Sequence, residues 1–240
     1  MRYRRGLQAS ILLLLIMLAQ TPALAAGEMA IAGGPAITNS PPDVDFKWAF
    51  AVLSSSPDGK ATVQPITRDM ALKSGDQLKM MVELQRKCFV YVFHYNPRDG
   101  LKMLFPYSLQ QLDGDYQAGR RYFIPRSEAW FRLDANPGQE SFYLVAAAQR
   151  LDDLERDYRA FENSGAGEKS RTALAVVERI KTLRREHREF ALPAEKPVSI
   201  GGALRGVLPG QAPSQVDISA LADEITSNGF MARTYTIDHQ

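Results

Sequence analysis

The rhythm of apolar and polar positions changes several times along the chain. Leu78–Gln85 (Leu-Lys-Met-Met-Val-Glu-Leu-Gln) alternates for most of its length, the two-residue period of a strand with one wet face. Cys88–Tyr95 is apolar or aromatic on both faces apart from His94, which predicts a central strand covered on both sides. Asn96-Pro97-Arg98-Asp99-Gly100 forms a hairpin turn, with Asp99-Gly100 providing the positive φ, and Leu101–Phe105 is the return strand. Phe46–Leu53 predicts a first strand, ended by the turn cluster Ser54–Gly59. Shorter strands follow at Tyr122–Ile124 and Trp130–Leu133, and Glu140–Ala148 closes the run. Many short strands at this spacing predict a mainly β fold with α: an antiparallel β-sandwich, Ig-like or barrel-like.

Near Leu151 the period lengthens. Leu151, Leu154, Tyr158 and Phe161 share one helical face, with Asp152, Asp153, Glu155, Arg156 and Asp157 mostly off it. Ser164-Gly165-Ala166-Gly167 breaks this helix. A second apolar stripe of Val176, Ile180, Leu183, His187 and Phe190 then spans about Glu168–Phe190, with Arg184, Arg185, Glu186, Arg188 and Glu189 on the solvated side. Leu192–Pro213 contains four prolines and four glycines and predicts a loop. A short helix is expected next, with Asp217 or Ser219 as N-cap, Leu221 and Ile225 facing inward, and Asn228-Gly229 as C-cap. In Phe230–His239, Met231, Arg233, Tyr235 and Ile237 share one face of a strand predicted to return to the β domain. The division is thus a sandwich over residues 46–150 and 230–240, with 151–229 a helical insertion before the last strand.

The first residues change the picture by placing the chain. Arg2, Arg4 and Arg5 precede the unbroken apolar run Ile11–Leu18, and Pro22 precedes Ala23-Leu24-Ala25-Ala26. Basic residues, a short apolar core and small residues before the cut are the signal-peptide pattern, so residues 1–26 predict export, with cleavage after Ala25 or Ala26. The apolar run is well short of the roughly 20 residues of a membrane span. No cysteine follows the cleavage region, which argues against a lipid anchor. Residues 27–45, rich in Gly, Pro and Ala, predict a flexible leader. The expectation is a periplasmic or secreted chain, soluble after cleavage and without a transmembrane segment in its mature part.

Composition and charge narrow the partners. With 240 residues and 45% hydrophobic content the chain has material for one core of ordinary size. Twenty-nine Lys and Arg against 27 Asp and Glu give a net charge of +2, which offers no electrostatic reason to expect nucleic acid or an anionic membrane surface. The single cysteine, Cys88, has no partner for an internal disulfide, and its apolar neighbours predict a buried thiol.

Candidate chemistry is sparse. His94, His187 and His239 fall on a strand, a helix and the terminus, with none of the short spacings of a zinc site. Asp113 and Asp115 lie in the polar loop Gln110–Gln117, which has too few oxygen ligands for a calcium loop. No nucleophile elbow, His-Glu-x-x-His or phosphate loop occurs. The expectation is a non-enzyme with no catalytic residue, cofactor or metal. Four aromatics, Tyr107, Tyr116, Tyr122 and Trp130, are the candidates for contact with a partner, against the alternative that they pack in the core or at its rim.

Several β segments carry a resemblance. Leu72-Lys73-Ser74-Gly75-Asp76-Gln77-Leu78-Lys79 is followed in order by Phe89–Phe93, Asp99-Gly100, Leu104-Phe105-Pro106, Ala118-Gly119, Ile124-Pro125 and Pro137-Gly138-Gln139-Glu140. The series resembles the bacterial family of domain of unknown function 4384, and Ala232–Ile237 is similar to the closing strand of some members. It covers about Phe46–Arg150 and the last ten residues, but not the helical insertion. The resemblance implies a β-sandwich-like accessory module, often in envelope proteins, with no catalytic residues to carry over. The expected partner is accordingly an envelope protein or a cell-wall component, held by the sandwich through its loops or a sheet edge. The alternatives are docking by the helical insertion, with the sandwich as its mount, and a hydrolytic enzyme with an unrecognised site.

Overall fold

The computed structural model describes residues 42–55, 60–187 and 216–240. The expected signal peptide, almost all of the leader, Phe190 and the Leu192–Pro213 loop lie outside them. One sheet contains β1 (Val44–Ser55), β2 (Ala61–Pro65), β4 (Gln77–Leu84), β7 (Arg121–Ile124), β8 (Phe131–Arg132) and β10 (Asp223–Ser227). Its order is β10-β1-β4-β7, with β2 also on β1 and β8 also on β4. The second sheet has the order β3-β11-β9-β5-β6, from β3 (Met70–Leu72), β5 (Phe89–Asn96), β6 (Gly100–Phe105), β9 (Gly138–Ala147) and β11 (Phe230–His239). All pairings are antiparallel except β3 with β11. The expected β-sandwich is present, and the terminal strand does return to it.

The inner faces meet through aromatics placed by the two-residue period. Phe46, Trp48, Phe50 and Val52 of β1 point at the second sheet, which answers with Phe142, Leu144, Tyr235 and Ile237. Phe50 lies 5.1 Å from Phe142 and 5.4 Å from Tyr235, edge-on to the latter. Trp48 Nε1 donates to Tyr235 Oη at 2.9 Å, so a buried hydrogen bond ties the sheets together. Cys88 is fully buried in the same cluster.

The outer face of the second sheet explains why β5 is apolar on both sides. Tyr91, Phe93, Leu101, Met103, Tyr143 and Val145 cluster there with residues of α1 (Asp152–Asn163) and α2 (Lys169–Glu186): Leu154, Tyr158, Ala173, Val176, Val177 and Ile180. The helices therefore form a third layer rather than a projecting arm, and their apolar stripes are spent on the sheet. His187 completes the layer by stacking on Phe230, with ring centroids 4.4 Å apart.

Glu155 is the departure from the helical pattern. Its sequence neighbours are solvated, yet it is 1% exposed. It accepts hydrogen bonds from Tyr91 Oη at 2.8 Å, Arg150 Nε at 2.9 Å and Arg159 at 3.1 Å. Tyr91 ties the first turn of α1 to β5, while Arg150 reaches it from the segment after β9 and Arg159 from the next turn of α1 itself. Arg150, which also pairs with Asp113, is pushed above its ordinary pKa chiefly by its hydrogen bond to Glu155.

Four further segments differ from expectation. The short helix expected over 217–225 is a 3-10 turn (Ile218–Leu221) followed by β10, because Ile225 pairs opposite Phe46 and turns inward as a strand residue. Asp217 does cap the turn, accepting from the Ser219 amide. The insertion thus ends before β10, and the sandwich includes 223–240. β1 begins at Val44, inside the span expected to be leader, and β2 and β3 are strands of only five and three residues, too short for their pattern to stand out. No helix among the described residues is long and apolar enough to cross a membrane.

Candidate functional site

Strand register gathers polar side chains at one end of the inner space. In β5 and its neighbours, His94 lies opposite Lys102 of β6 on one side and Phe142 of β9 on the other. Phe142 lies opposite Tyr235, Glu140 opposite Ile237 and Gly138 opposite His239. Residues directly opposite each other share a face, as do those two apart on one strand. Lys102, His94, Glu140 and His239 therefore all face the first sheet, beyond the aromatic core.

There they line a cleft of about 210 Å³ between the two sheets. Its floor is apolar, made by Leu78, Leu104, Leu133, Phe131 and Phe142. Buried Glu140 and His239 and half-buried His94 form the polar wall, and exposed Asp99, Lys102, Arg132 and Asp134 stand around the mouth.

The wall is hydrogen-bonded unequally. Glu140 is held on both oxygens, by His94 Nε2 at 2.5 Å and by Asn96 Nδ2 at 2.6 Å. Burial opposes its ionisation, but the bonds from His94 and Asn96 and the nearby imidazoles outweigh this and hold the carboxyl below its ordinary pKa. His239 is 2% exposed; its Nε2 lies 3.0 Å from Ser74 Oγ, while its Nδ1 is buried with no hydrogen-bond partner among the described residues. Ser74 and His239 thus make the first half of a serine–base pair, but no carboxylate hydrogen-bonds Nδ1 as the orienting group of a triad does. Among the described residues no group of three His, Cys, Asp or Glu is placed to hold a metal ion.

At the mouth, Asp134 is occupied by the amide and side chain of Asn136, at 2.8 and 2.7 Å. Lys102 and Arg132 make no ion pair or side-chain hydrogen bond with any described residue, in contrast to Arg121, Arg150 and Arg179, which are paired. The cleft therefore joins an apolar floor, a polar wall of His94, Glu140 and His239, and a mouth with two cations and two carboxylates.

The four aromatics that were candidates for partner contact, with core or rim packing as the alternative, lie away from the cleft. Tyr107, Tyr116 and Tyr122 surround Phe105, with ring centroids 5.2 to 5.9 Å away. Tyr122 is 3% exposed, and its hydroxyl accepts from the Gln117 amide at 2.8 Å. Tyr116 Oη accepts from the Val90 amide at 2.7 Å, and burial raises its pKa well above the ordinary value. Tyr107 Oη donates to the Phe123 carbonyl at 2.6 Å, and burial pushes its pKa up to about 12. These three are core and rim packing, because each hydroxyl is needed to satisfy backbone. Trp130 packs half-buried on the outer face of the first sheet, beside the Ala49, Met81 and Ile218 cluster, with Lys79 Nζ 5.6 Å from its ring.

What the sequence reading missed is the meeting of His94, Glu140 and His239, which lie too far apart in sequence for any motif. One signal was available: the face shared by Met231, Arg233, Tyr235 and Ile237 extends by one step to His239.

Among known families, the domain of unknown function DUF4384 matches residues 71–150, as the resemblance implied. That span runs from β3 through β9 and supplies every lining residue of the cleft except His239. No curated protein matches the chain.

Proposed function

With residues 71–150 matched to DUF4384, we propose that this chain is an exported, non-catalytic recognition module of the bacterial cell envelope, and that the cleft between its sheets holds a protein or cell-wall partner. The observation that carries the reading is the apolar-floored cleft itself, with Lys102 and Arg132, which have no partner among the described residues, standing at its mouth beside Asp99 and Asp134. A concave, largely apolar site with few convergent polar groups is the ordinary form of a ligand pocket. Export rests on the basic and apolar pattern of residues 1–26. The helical alternative loses support because the apolar faces of α1 and α2 lie against the sheet. The hydrolytic alternative rests on the Ser74–His239 contact alone.

The test is a crosslinking pull-down from intact envelopes with the mature chain and with a Lys102→Glu/Arg132→Glu variant. Both residues are exposed, so the variant should fold. The reading expects a partner held by the wild type and lost by the variant. A partner held equally by both would move recognition away from the cleft.

A further inference from the structure

Resting on the reading that the cleft recognises a partner, we propose that the buried Glu140–Asn96 pair fixes the shape of the cleft mouth, and that acid releases the β5–β6 turn there by neutralising Glu140. The geometry is a relay from the wall to the mouth. Glu140, on the cleft wall in β9, is 7% exposed and accepts from Asn96 Nδ2 at 2.6 Å. Asn96, 6% exposed at the end of β5, points its other end at the turn. Its Oδ1 accepts from the Arg98 amide at 2.7 Å and from the Asp99 amide at 3.4 Å. Asp99 in turn stands at the cleft mouth with Lys102 of β6. Only one orientation of the Asn96 amide serves both ends, because its oxygen faces backbone donors and its NH2 group faces a carboxylate. Ionised Glu140 is therefore the positioning residue of the turn.

Ionisation matters because Glu140 has a partner on each oxygen, the second being His94 Nε2 at 2.5 Å. A carboxylate accepts both bonds, whereas a carboxylic acid carries a proton that needs an acceptor of its own. At this wall the proton meets donors instead. An imidazole is protonated in the range where a carboxyl is neutralised, so the His94 bond is then charge-assisted and the stronger of the two. The bond to Asn96 yields, its amide is free to rotate, and Arg98 and Asp99 lose a fixed acceptor. The charges around Glu140 set where this happens. Burial favours the neutral acid, as do Asp99 in the turn and Asp134 after β8. The bonds from His94 and Asn96 favour the carboxylate, as do His239 of β11, Lys102 of β6 and Arg132 of β8. The second group prevails and holds the carboxyl below its ordinary pKa, so release lies on the acid side of an ordinary glutamate titration, about pH 4.3.

The experiment measures amide protection in the mature chain by NMR hydrogen exchange across the carboxylate range, from about pH 6.5 to about pH 3, each rate divided by its intrinsic value. The Gly119 amide, which donates to the Leu84 carbonyl at 2.7 Å, is the internal control for the fold. Arg98 protection should fall about fivefold as Glu140 is neutralised, the scale of one hydrogen bond, while Gly119 protection holds. Asn96→Ala should leave Arg98 unprotected at every pH, with no step. Glu140→Gln has nothing to ionise at this position, so its step should vanish. Arg98 protection that is flat with pH in the wild type, or that falls only together with Gly119, overturns the proposal. A step that survives in Glu140→Gln also overturns it and assigns the titration to another carboxyl, such as Asp99 or Asp134. If the step is absent while the envelope partner is still lost in the Lys102→Glu/Arg132→Glu variant, the cleft remains the recognition site and only the relay falls. If the step is present while that variant holds the partner, the recognition reading falls and the turn loses the role given to it at the mouth.

Discussion

Replacing Glu155 by alanine removes the carboxylate that holds α1 to β5. Tyr91 is fully buried, so its hydroxyl would lose its acceptor with no water to replace it, a loss of about 1–3 kcal/mol. The arginine donors are more forgiving. The Arg150 side chain is 26% exposed and keeps Asp113, and the Arg159 side chain is 53% exposed and can turn to solvent. Their release adds about 1 kcal/mol, the scale of an exposed pair. The sum, about 2–4 kcal/mol, falls at or below the ~3–5 kcal/mol of breaking a fully buried pair. Tyr91→Phe should cost only about 1 kcal/mol, because Glu155 retains its arginines. The assay is equilibrium urea unfolding followed twice: by fluorescence of the two tryptophans, Trp48 and Trp130, both in the sandwich, and by far-ultraviolet circular dichroism, which weights the helices. The two transitions should coincide in the wild type, as one cooperative unit requires. A Glu155→Ala cost under about 0.5 kcal/mol, or helices melting separately from the sheets, would refute the three-layer arrangement.

Other outcomes follow from single groups. Burial raises the pKa of the Cys88 thiol, so a maleimide should label it slowly in the native chain and quickly in urea; fast native labelling would contradict its burial. Glu140 is held below its ordinary pKa, so its ionised form contributes stability that is complete above the unfolded value of about 4.3 and is lost as pH falls through the lower folded value. The stability gap between wild type and Glu140→Gln should accordingly be constant above about pH 5 and shrink below about pH 4; a gap independent of pH would show that the fold does not shift this carboxyl, and one that falls as pH rises past the unfolded value would show that it is kept neutral. N-terminal sequencing of the exported chain should begin at Ala26 or Gly27, and an intact Met1 would remove the export reading.

Period carried most of the fold. The two-faced apolar run of β5 announced a strand covered on both sides, and the covering layers proved to be the first sheet and the helices. The Asp99-Gly100 turn was legible because Gly100 takes a φ of +83°. β10 was not, since Asp-Glu-Ile-Thr-Ser beside a capping aspartate reads locally as a helix start, and only pairing with β1 makes it a strand. Glu155 was invisible for a related reason: its burial is decided by Tyr91, some 64 residues away. The same holds for the cleft, where His94, Glu140 and His239 are assembled by register across β5, β9 and β11 rather than by spacing along the chain. For the tyrosines the choice between partner surface and core or rim packing was open in sequence, because only the fold shows each hydroxyl satisfying a backbone group.

The sharpest measurement is site-specific photocrosslinking in intact cells, with a photoreactive residue at Lys102 on the cleft mouth in one chain and at Arg171 on the exposed side of α2 in another. A recognition cleft yields a discrete adduct from position 102 that is absent from position 171 and is lost when Arg132→Glu is added. An adduct from position 171 with none from position 102 would place recognition on the helical layer instead.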